Sequence, residues 1–202
     1  TSEKGIKASL EIKPAAFYNK KTADMITPLN YNDHISRISE CDWVIEAISE
    51  RIDWKKDLYS KISEHISENS VLTSNTSGIS LKELSEDMND ELKNRFFITH
   101  FFNPPRYMKL VEIVYPDSIK TDLLNSVVDI LENKLGKGVV HAKDTPNFIA
   151  NRIGTYGMMC VLDFATKMKL SVEDIDFFTG SLIGRPKSGT FRTADIVGLD
   201  TL

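Results

Sequence analysis

Apolar positions along the chain follow two alternating rhythms. "DWVIEAI" at 42–48, "SVLTSN" at 70–75 and "RFFITH" at 95–100 are short apolar runs rich in β-branched and aromatic residues, and they predict buried strands. Between the first two, "DWKKDLYSKISEHISEN" carries Trp54, Leu58, Ile62 and Ile66 at helical spacing, and "SLKELSEDM" supplies a helix before the third. This strand–helix rhythm predicts a parallel, doubly wound α/β sheet. "KLVEIVY" at 109–115 reads as a further strand, but the Pro-rich connection before it is too short for a crossover helix, so it should run antiparallel to its neighbour. A helix around "DLLNSVVDILENKL", stopped by Gly136, and a last short strand at "GVVHA" follow. The lead, including "ASLEIKPAAFYNKK" at 8–21, is polar and reads as helical.

After "KDTP" the pattern changes. From 147 to 170 the chain is apolar almost all round, and Ser171 with Asp174 three residues on is a capping signal for another helix. Two domains are therefore expected, 1–144 built on the sheet and 145–202 helical. The chain starts at Thr1 without methionine and stops in "DIVGLDTL", and both ends read as cut.

Composition narrows the function classes. With 202 residues, 41% hydrophobic and 27% charged, the chain has the make-up of a globular protein. A net charge of -4, with lysines interleaved among acidic residues, offers no broad basic field, so nucleic acid is not an expected partner. Two cysteines, Cys41 and Cys160, lie far apart without metal-ligand spacing, which reads as a reduced chain with no disulfide and no metal. No apolar run approaches the roughly 18 residues a spanning helix needs, so membrane insertion is not expected. Cytoplasmic residence is the default expectation.

Ligands of open α/β sheets bind beyond the carboxyl ends of the strands. Asn75, Thr76 and Ser77 lie just past one strand, with Gly78 permitting a tight turn, and His100 ends the next, so Ser77 and His100 should face one crevice. An imidazole is the usual general base near neutral pH, and a hydroxyl beside it can hold a substrate oxygen. In "KLVEIVY" the period of two puts Glu112 on the same face as Leu110 and Val114, where a carboxylate needs a partner, and His100 is a candidate. Taken singly, each residue also fits a turn, a cap or a solvated edge.

Five separated segments, "VIEAISE", "SNTSGIS", "THFFNPPRYMKLVEIV", "GKGVVHAKDTPNFIANRI" and "GRPKSGTFRTADIVGLDT", resemble the L-3-hydroxyacyl-CoA dehydrogenase family, in the family's order. The lead and the "GRPKSGTFR" block are similar to the long bacterial and archaeal forms, often fused to an enoyl-CoA hydratase module. The resemblance implies a Rossmann-like, mostly parallel sheet followed by the start of an all-helical domain that forms a homodimer interface in the family. It implies NAD-dependent oxidation of (S)-3-hydroxyacyl-CoA to 3-oxoacyl-CoA in fatty-acid β-oxidation. His100 corresponds to the catalytic base, Glu112 to its acidic partner, Ser77 to the serine that bonds the substrate oxygen and Asn151 to the asparagine contributed by the helical domain. Ala47, Glu50 and Lys55 match dinucleotide-contacting positions, and Asn75 and Asn103 match residues lining the nicotinamide and catalytic region.

The sequence departs from the family in two places. The Gly-x-Gly-x-x-Gly turn of a first βαβ unit, whose amides hold the pyrophosphate, is absent; Gly136 and Gly138 have His141 where a third glycine would stand. The sheet is therefore expected to be incomplete upstream of Thr1, and the isolated chain to bind NADH poorly, to turn over little and to expose apolar strand edges. Acyl-CoA binding or assembly without turnover, a structural relative, and a hydroxy-acid or sugar-acid dehydrogenase are the other readings. Asn147 stands where the family usually has glycine, and asparagine tolerates the left-handed backbone that such a turn needs.

Overall fold

A computed structural model of the chain describes residues 1–185 and 187–197; Pro186 and the last five residues of "DIVGLDTL", at 198–202, lie outside the described residues. The chain divides into two compact units, Thr1–Phe148 and Ile149–Leu202.

The first unit opens with helix α1 (Ser2–Glu11), which ends sooner than the lead's composition predicts. Ile12 is already extended, and Pro14 has no N–H to donate to a continuing helix while it forces Lys13 out of helical geometry. A 3₁₀ turn at Lys20–Met25, capped by the Asn19 side chain on Lys21 N, and the short helix α2 (Tyr31–His34) lead to the sheet. Strand β1 (Trp43–Glu46) is shorter than the predicted run, because the Glu46 carboxylate takes the N–H of Ile48 at 2.7 Å and turns the backbone out of the ladder. Helix α3 (Ile52–Ser63), strand β2 (Val71–Ser74), short helices α4 (Leu81–Ser85) and α5 (Asp90–Lys93), and strand β3 (Phe96–Phe101) follow in the predicted alternation. Strand β4 (Leu110–Val114), helix α6 (Thr121–Asp129) with a π-turn over Ile130–Lys134, and strand β5 (Gly138–His141) complete the unit. Gly136 stops that helix with a left-handed φ of 65°.

The five strands lie in the order β1-β2-β3-β4-β5. β1, β2 and β3 are mutually parallel, β4 is antiparallel to β3 as expected from its short connection, and β5 runs parallel to β4. Alternation along the strands divides the core between the two faces. Phe96 and Ile98 of β3 and Val114 of β4 pack with Leu58 and Ile62 of α3 and Leu84 of α4, whereas Phe97, Val111 and Ile113 pack on the other face against Leu124, Val127 and Leu131. Phe97 is fully buried, and its truncation to alanine would cost about 3–5 kcal/mol. Among the described residues β1 and β5 form the sheet edges, where Ile45 and Val140 are 45% and 38% exposed.

The second unit, described by itself, contains helix α7 (Ala150–Met168), helix α8 (Val172–Thr179) and helix α9 (Phe191–Val197). The predicted Ser171/Asp174 capping box opens α8, each side chain satisfying the other's backbone N–H. Asp176 caps α9 through the N–H groups of Phe191 and Arg192 at 2.6 and 3.1 Å. Gly189, with φ 66°, is required beside it, since a Cβ there would lie 2.5 Å from the Asp176 backbone. Among the described residues, no helix is long and apolar enough to cross a membrane.

Candidate active site

The periodicity that builds the core also builds the site. His100 follows Phe96 and Ile98 on one face of β3, and Glu112 precedes Val114 on the same face of β4. The two are register partners across the antiparallel ladder, and Nδ1 of His100 lies 2.8 Å from Oε2 of Glu112. Both are buried, at 3% and 0% exposure. A carboxylate can only accept, so with Glu112 in that form the pair places the ring proton on Nδ1 and leaves the Nε2 lone pair free to accept.

Two aromatic rings wall the imidazole: Phe102 at 4.4 Å between centroids and Phe148, edge-on, at 5.7 Å. Phe148 reaches this position because Asn147 and Phe148 are both left-handed, with φ of 59° and 48°. The turn that glycine usually makes is thus kept by asparagine. A left-handed phenylalanine costs about 1–2 kcal/mol, offset here by burying its ring to 2% exposure.

The "SNTSGIS" segment leaves the C-terminal end of β2, next to β3. Asn75 is tied to both neighbouring strands, its N–H donating to Glu46 O at 2.7 Å and its Oδ1 accepting from Phe101 N at 2.9 Å. Oε1 of Glu50 accepts from the Thr76 hydroxyl, from Ser77 N at 2.9 Å and from Gly78 N at 3.1 Å. Burial would raise the Glu50 pKa, but these donors and the Lys55 charge outweigh it and hold the carboxyl below the ordinary glutamate range. Farther on, Asp144 accepts from Ser80 Oγ, Leu81 N and Lys82 N at 2.9, 2.9 and 3.1 Å, capping α4.

Beneath this loop lies a hub that the sequence reading missed. Glu46, 2% exposed at the end of β1, accepts from Lys55 Nζ at 2.7 and 2.9 Å, Tyr59 Oη at 2.6 Å, Ser74 Oγ at 2.6 Å and Ile48 N at 2.7 Å. Burial, reinforced by the adjacent Glu46 carboxylate, raises the Tyr59 pKa, so the phenol remains a neutral donor. A signal was present: a glutamate inside a buried strand demands donors, and Lys55 and Tyr59 sit four apart on one face of α3. Asp144, 62 to 64 residues from the atoms it caps, has no local signal.

The remaining predicted positions fall as follows. Ala47 is exposed just past β1, and Asn103 is exposed in the connection after β3. Lys55 is 1% exposed, its ammonium on Glu46 and 3.6 Å from Oε2 of Glu50, so it meets the crevice through Glu50 rather than by its own tip. Asn151 belongs to the first turn of α7 in the second unit. The residues that the resemblance assigns to the nicotinamide-ribose end are chemically compatible with that group. Oε2 of Glu50, on a side chain 42% exposed, can accept a ribose hydroxyl, and small Ala47 permits close approach at the ends of β1–β3. The 202 residues contain no Gly-x-Gly-x-x-Gly turn for a pyrophosphate.

Known proteins agree with this architecture. The family described as 3-hydroxyacyl-CoA dehydrogenase, NAD binding domain, matches residues 2–145. A Bacillus subtilis protein named a probable 3-hydroxyacyl-CoA dehydrogenase is 48% identical over 200 residues, covering 99% of this chain and 25% of that protein. A Rickettsia felis protein named as a fatty acid oxidation complex trifunctional enzyme is 39% identical over 189 residues, covering 94% of this chain and 26% of that protein. The crystal structure of (S)-3-hydroxybutyryl-CoA dehydrogenase from Ralstonia eutropha superposes with a TM-score of 0.79 at 28% identity, over 99% of this chain and 71% of that one. The chain spans about a quarter of the length of the Bacillus and Rickettsia proteins. A match from residue 2 to residue 145, over a sheet of this topology, means that the chain belongs to the 3-hydroxyacyl-CoA dehydrogenase family, in its NAD binding domain.

Proposed function

We propose that the protein carrying this chain oxidises (S)-3-hydroxyacyl-CoA to 3-oxoacyl-CoA with NAD, as a step of fatty-acid β-oxidation. The observation that carries this reading is the buried His100–Glu112 pair across the antiparallel β3–β4 ladder at the carboxyl end of β3, Nδ1 to Oε2 at 2.8 Å. NAD, when bound, supplies the hydride acceptor. Ser77 donates to the substrate oxygen and fixes the hydroxyl against His100. Nε2 of His100 takes the hydroxyl proton as the carbonyl forms and the hydride leaves the same carbon. Glu112 keeps the ring in the tautomer that exposes Nε2 and offsets the imidazolium charge. Asn151 contributes a polar contact from the helical unit. Ala47, Glu50, Asn75 and Asn103 hold the nicotinamide-ribose end, with Lys55 fixing Glu50.

On this reading the domains divide into 1–144 for the dinucleotide and 145–202 for substrate and dimer contacts. Ile153, Tyr156, Phe164 and Phe177, each at least 60% exposed in the helical unit, support a homodimer. The trifunctional name of the Rickettsia relative supports fusion to further enzymatic modules, of which a hydratase is the one the resemblance implies, and the free thiols of Cys41 and Cys160 support the reducing cytoplasm. Without a pyrophosphate cradle in its 202 residues, the chain assayed alone is expected to bind NADH weakly and turn over little. The test is NADH consumption with acetoacetyl-CoA by the intact protein and its His100→Ala variant. Turnover that vanishes in the variant supports the assignment, and turnover that persists overturns it.

A further inference from the structure

We propose that Glu50 is a positioning residue for Ser77, holding the serine loop in its working geometry from the β1 side while Asp144 holds it from the other. This rests on the reading of Ser77 as the group that bonds the substrate oxygen.

Three observations carry it. First, a single oxygen of Glu50, Oε1, collects the Thr76 hydroxyl and the backbone N–H groups of Ser77 and Gly78. Successive N–H groups aimed at one anion form a nest, and a charge-assisted bond to each fixes the local backbone more firmly than a neutral acceptor would. The Ser77 amide is thereby oriented, and the origin of its side chain with it.

Second, Glu50 is itself anchored from below. Lys55 Nζ stands 3.6 Å from Oε2 and is fixed on the buried carboxylate of Glu46, which also holds Ser74, the last residue of β2. Both ends of the turn between β1 and α3, and the strand that launches the serine loop, therefore share one ionic scaffold. Third, the far end of "SNTSGIS" is closed by Asp144 on Ser80, Leu81 and Lys82. Small polar residues between two carboxylates give a short loop that presents its serine with little freedom. Rigid placement is worth much in catalysis, since a displacement of about 1 Å can lower a rate roughly 100-fold.

Such a role differs from that of a dinucleotide contact. A residue acting only on the cofactor alters NADH affinity, whereas one acting through Ser77 alters the chemical step and does so only while Ser77 is present. The experiment is a double-mutant cycle in the intact protein, with kcat and KM for acetoacetyl-CoA and the NADH dissociation constant from fluorescence quenching. The variants are Glu50→Gln, Ser77→Ala and the pair. The expectation is a fall in kcat at saturating NADH of about tenfold or more for each single variant, separate from any NADH affinity that Glu50→Gln loses as a ribose contact, and no further fall in kcat in the pair. Partial recovery in Glu50→Asp accompanies this, because the carboxylate is kept. Losses that multiply in the pair, or a Glu50→Gln defect confined to NADH affinity, overturn the proposal. An inert Ser77→Ala instead overturns the reading of Ser77 on which it rests. Should Glu50→Gln fold poorly, Thr76→Val removes one donor of the nest while conserving shape, and it must show the same dependence on Ser77 for the proposal to stand.

Discussion

His100 and Glu112 occupy one rung of the β3–β4 ladder, and their side chains meet at 2.8 Å on the sheet face that also buries Ile98 and Val114. The antiparallel turn of β4 is what makes this possible, because it returns the chain beside the strand end where His100 stands. Replacing Glu112 by glutamine keeps an acceptor for Nδ1 and removes the charge. We expect kcat/KM for acetoacetyl-CoA to fall about 100-fold in Glu112→Gln, with the fold retained. Glu112→Ala leaves an unpartnered polar ring and a cavity, and should lose about 3–5 kcal/mol in urea unfolding. Wild-type kinetics in the glutamine variant would show that the charge has no part in turnover.

Glu46 and Lys55 make a second buried ionic pair whose energetics should be asymmetric. Lys55→Met leaves the Glu46 carboxylate, 2% exposed, with hydroxyl and amide donors but no countercharge. A loss of about 3–5 kcal/mol is expected, and much of it should return in the Glu46→Gln, Lys55→Met double variant, where no charge stays buried. Equal losses in single and double variants would mean that packing, not charge, dominates the hub. Tyr59→Phe removes a donor to the same carboxylate and should cost about 1.5–3 kcal/mol.

Much of this arrangement was legible from local pattern. Periods of two and of 3.6 found the five strands and α3, and the brevity of the Pro-rich connection found the antiparallel return of β4. That return let Glu112 be paired with His100 from the sequence. The left-handed turn at Asn147 was legible through the resemblance, since asparagine stands where the family usually has glycine and tolerates that backbone. The polarity of the lead predicts one helix because polarity carries no helix stop; Pro14 supplies the stop, and α1 ends before it. What stayed hidden is non-local. Asp144 serves amides more than 60 residues earlier, and Glu46 was read only as part of an apolar run although its charge required Lys55 and Tyr59.

The state of Glu50 makes a prediction in pH. Burial raises its pKa, but the donors from Thr76, Ser77 and Gly78 together with Lys55 bring the folded value below the ordinary one near 4.5. A carboxyl depressed by folding stabilises the protein fully above its unfolded pKa, and that contribution is lost as pH falls through the folded value. Glu50→Gln should therefore be less stable than wild type at neutral pH, and the difference should narrow as pH falls below the ordinary value near 4.5 and vanish once it passes the lower folded value. Urea midpoints measured from acid to neutral pH would contradict this if the gap stayed constant.

Gly78 and Asn147 give the sharpest packing test of the loop. A Cβ on Gly78 would meet Oδ1 of Asn147 at 3.1 Å, and among the described residues other than its chain neighbours no further atom lies within 4 Å. Gly78 does not have a left-handed φ, so the contact with that side-chain atom is the steric cost of an alanine there. Gly78→Ala should lose on the order of 1 kcal/mol and displace Asn147, which in turn carries Phe148 against His100. Asn147→Gly relieves the left-handed backbone but adds entropy to the unfolded chain, so on its own it should be near neutral. In the Gly78→Ala, Asn147→Gly double variant the clash has no partner, and stability should return to that of Asn147→Gly alone. Additive losses would place the cost of a Cβ elsewhere than on Asn147, and would separate the serine loop mechanically from the turn that holds Phe148.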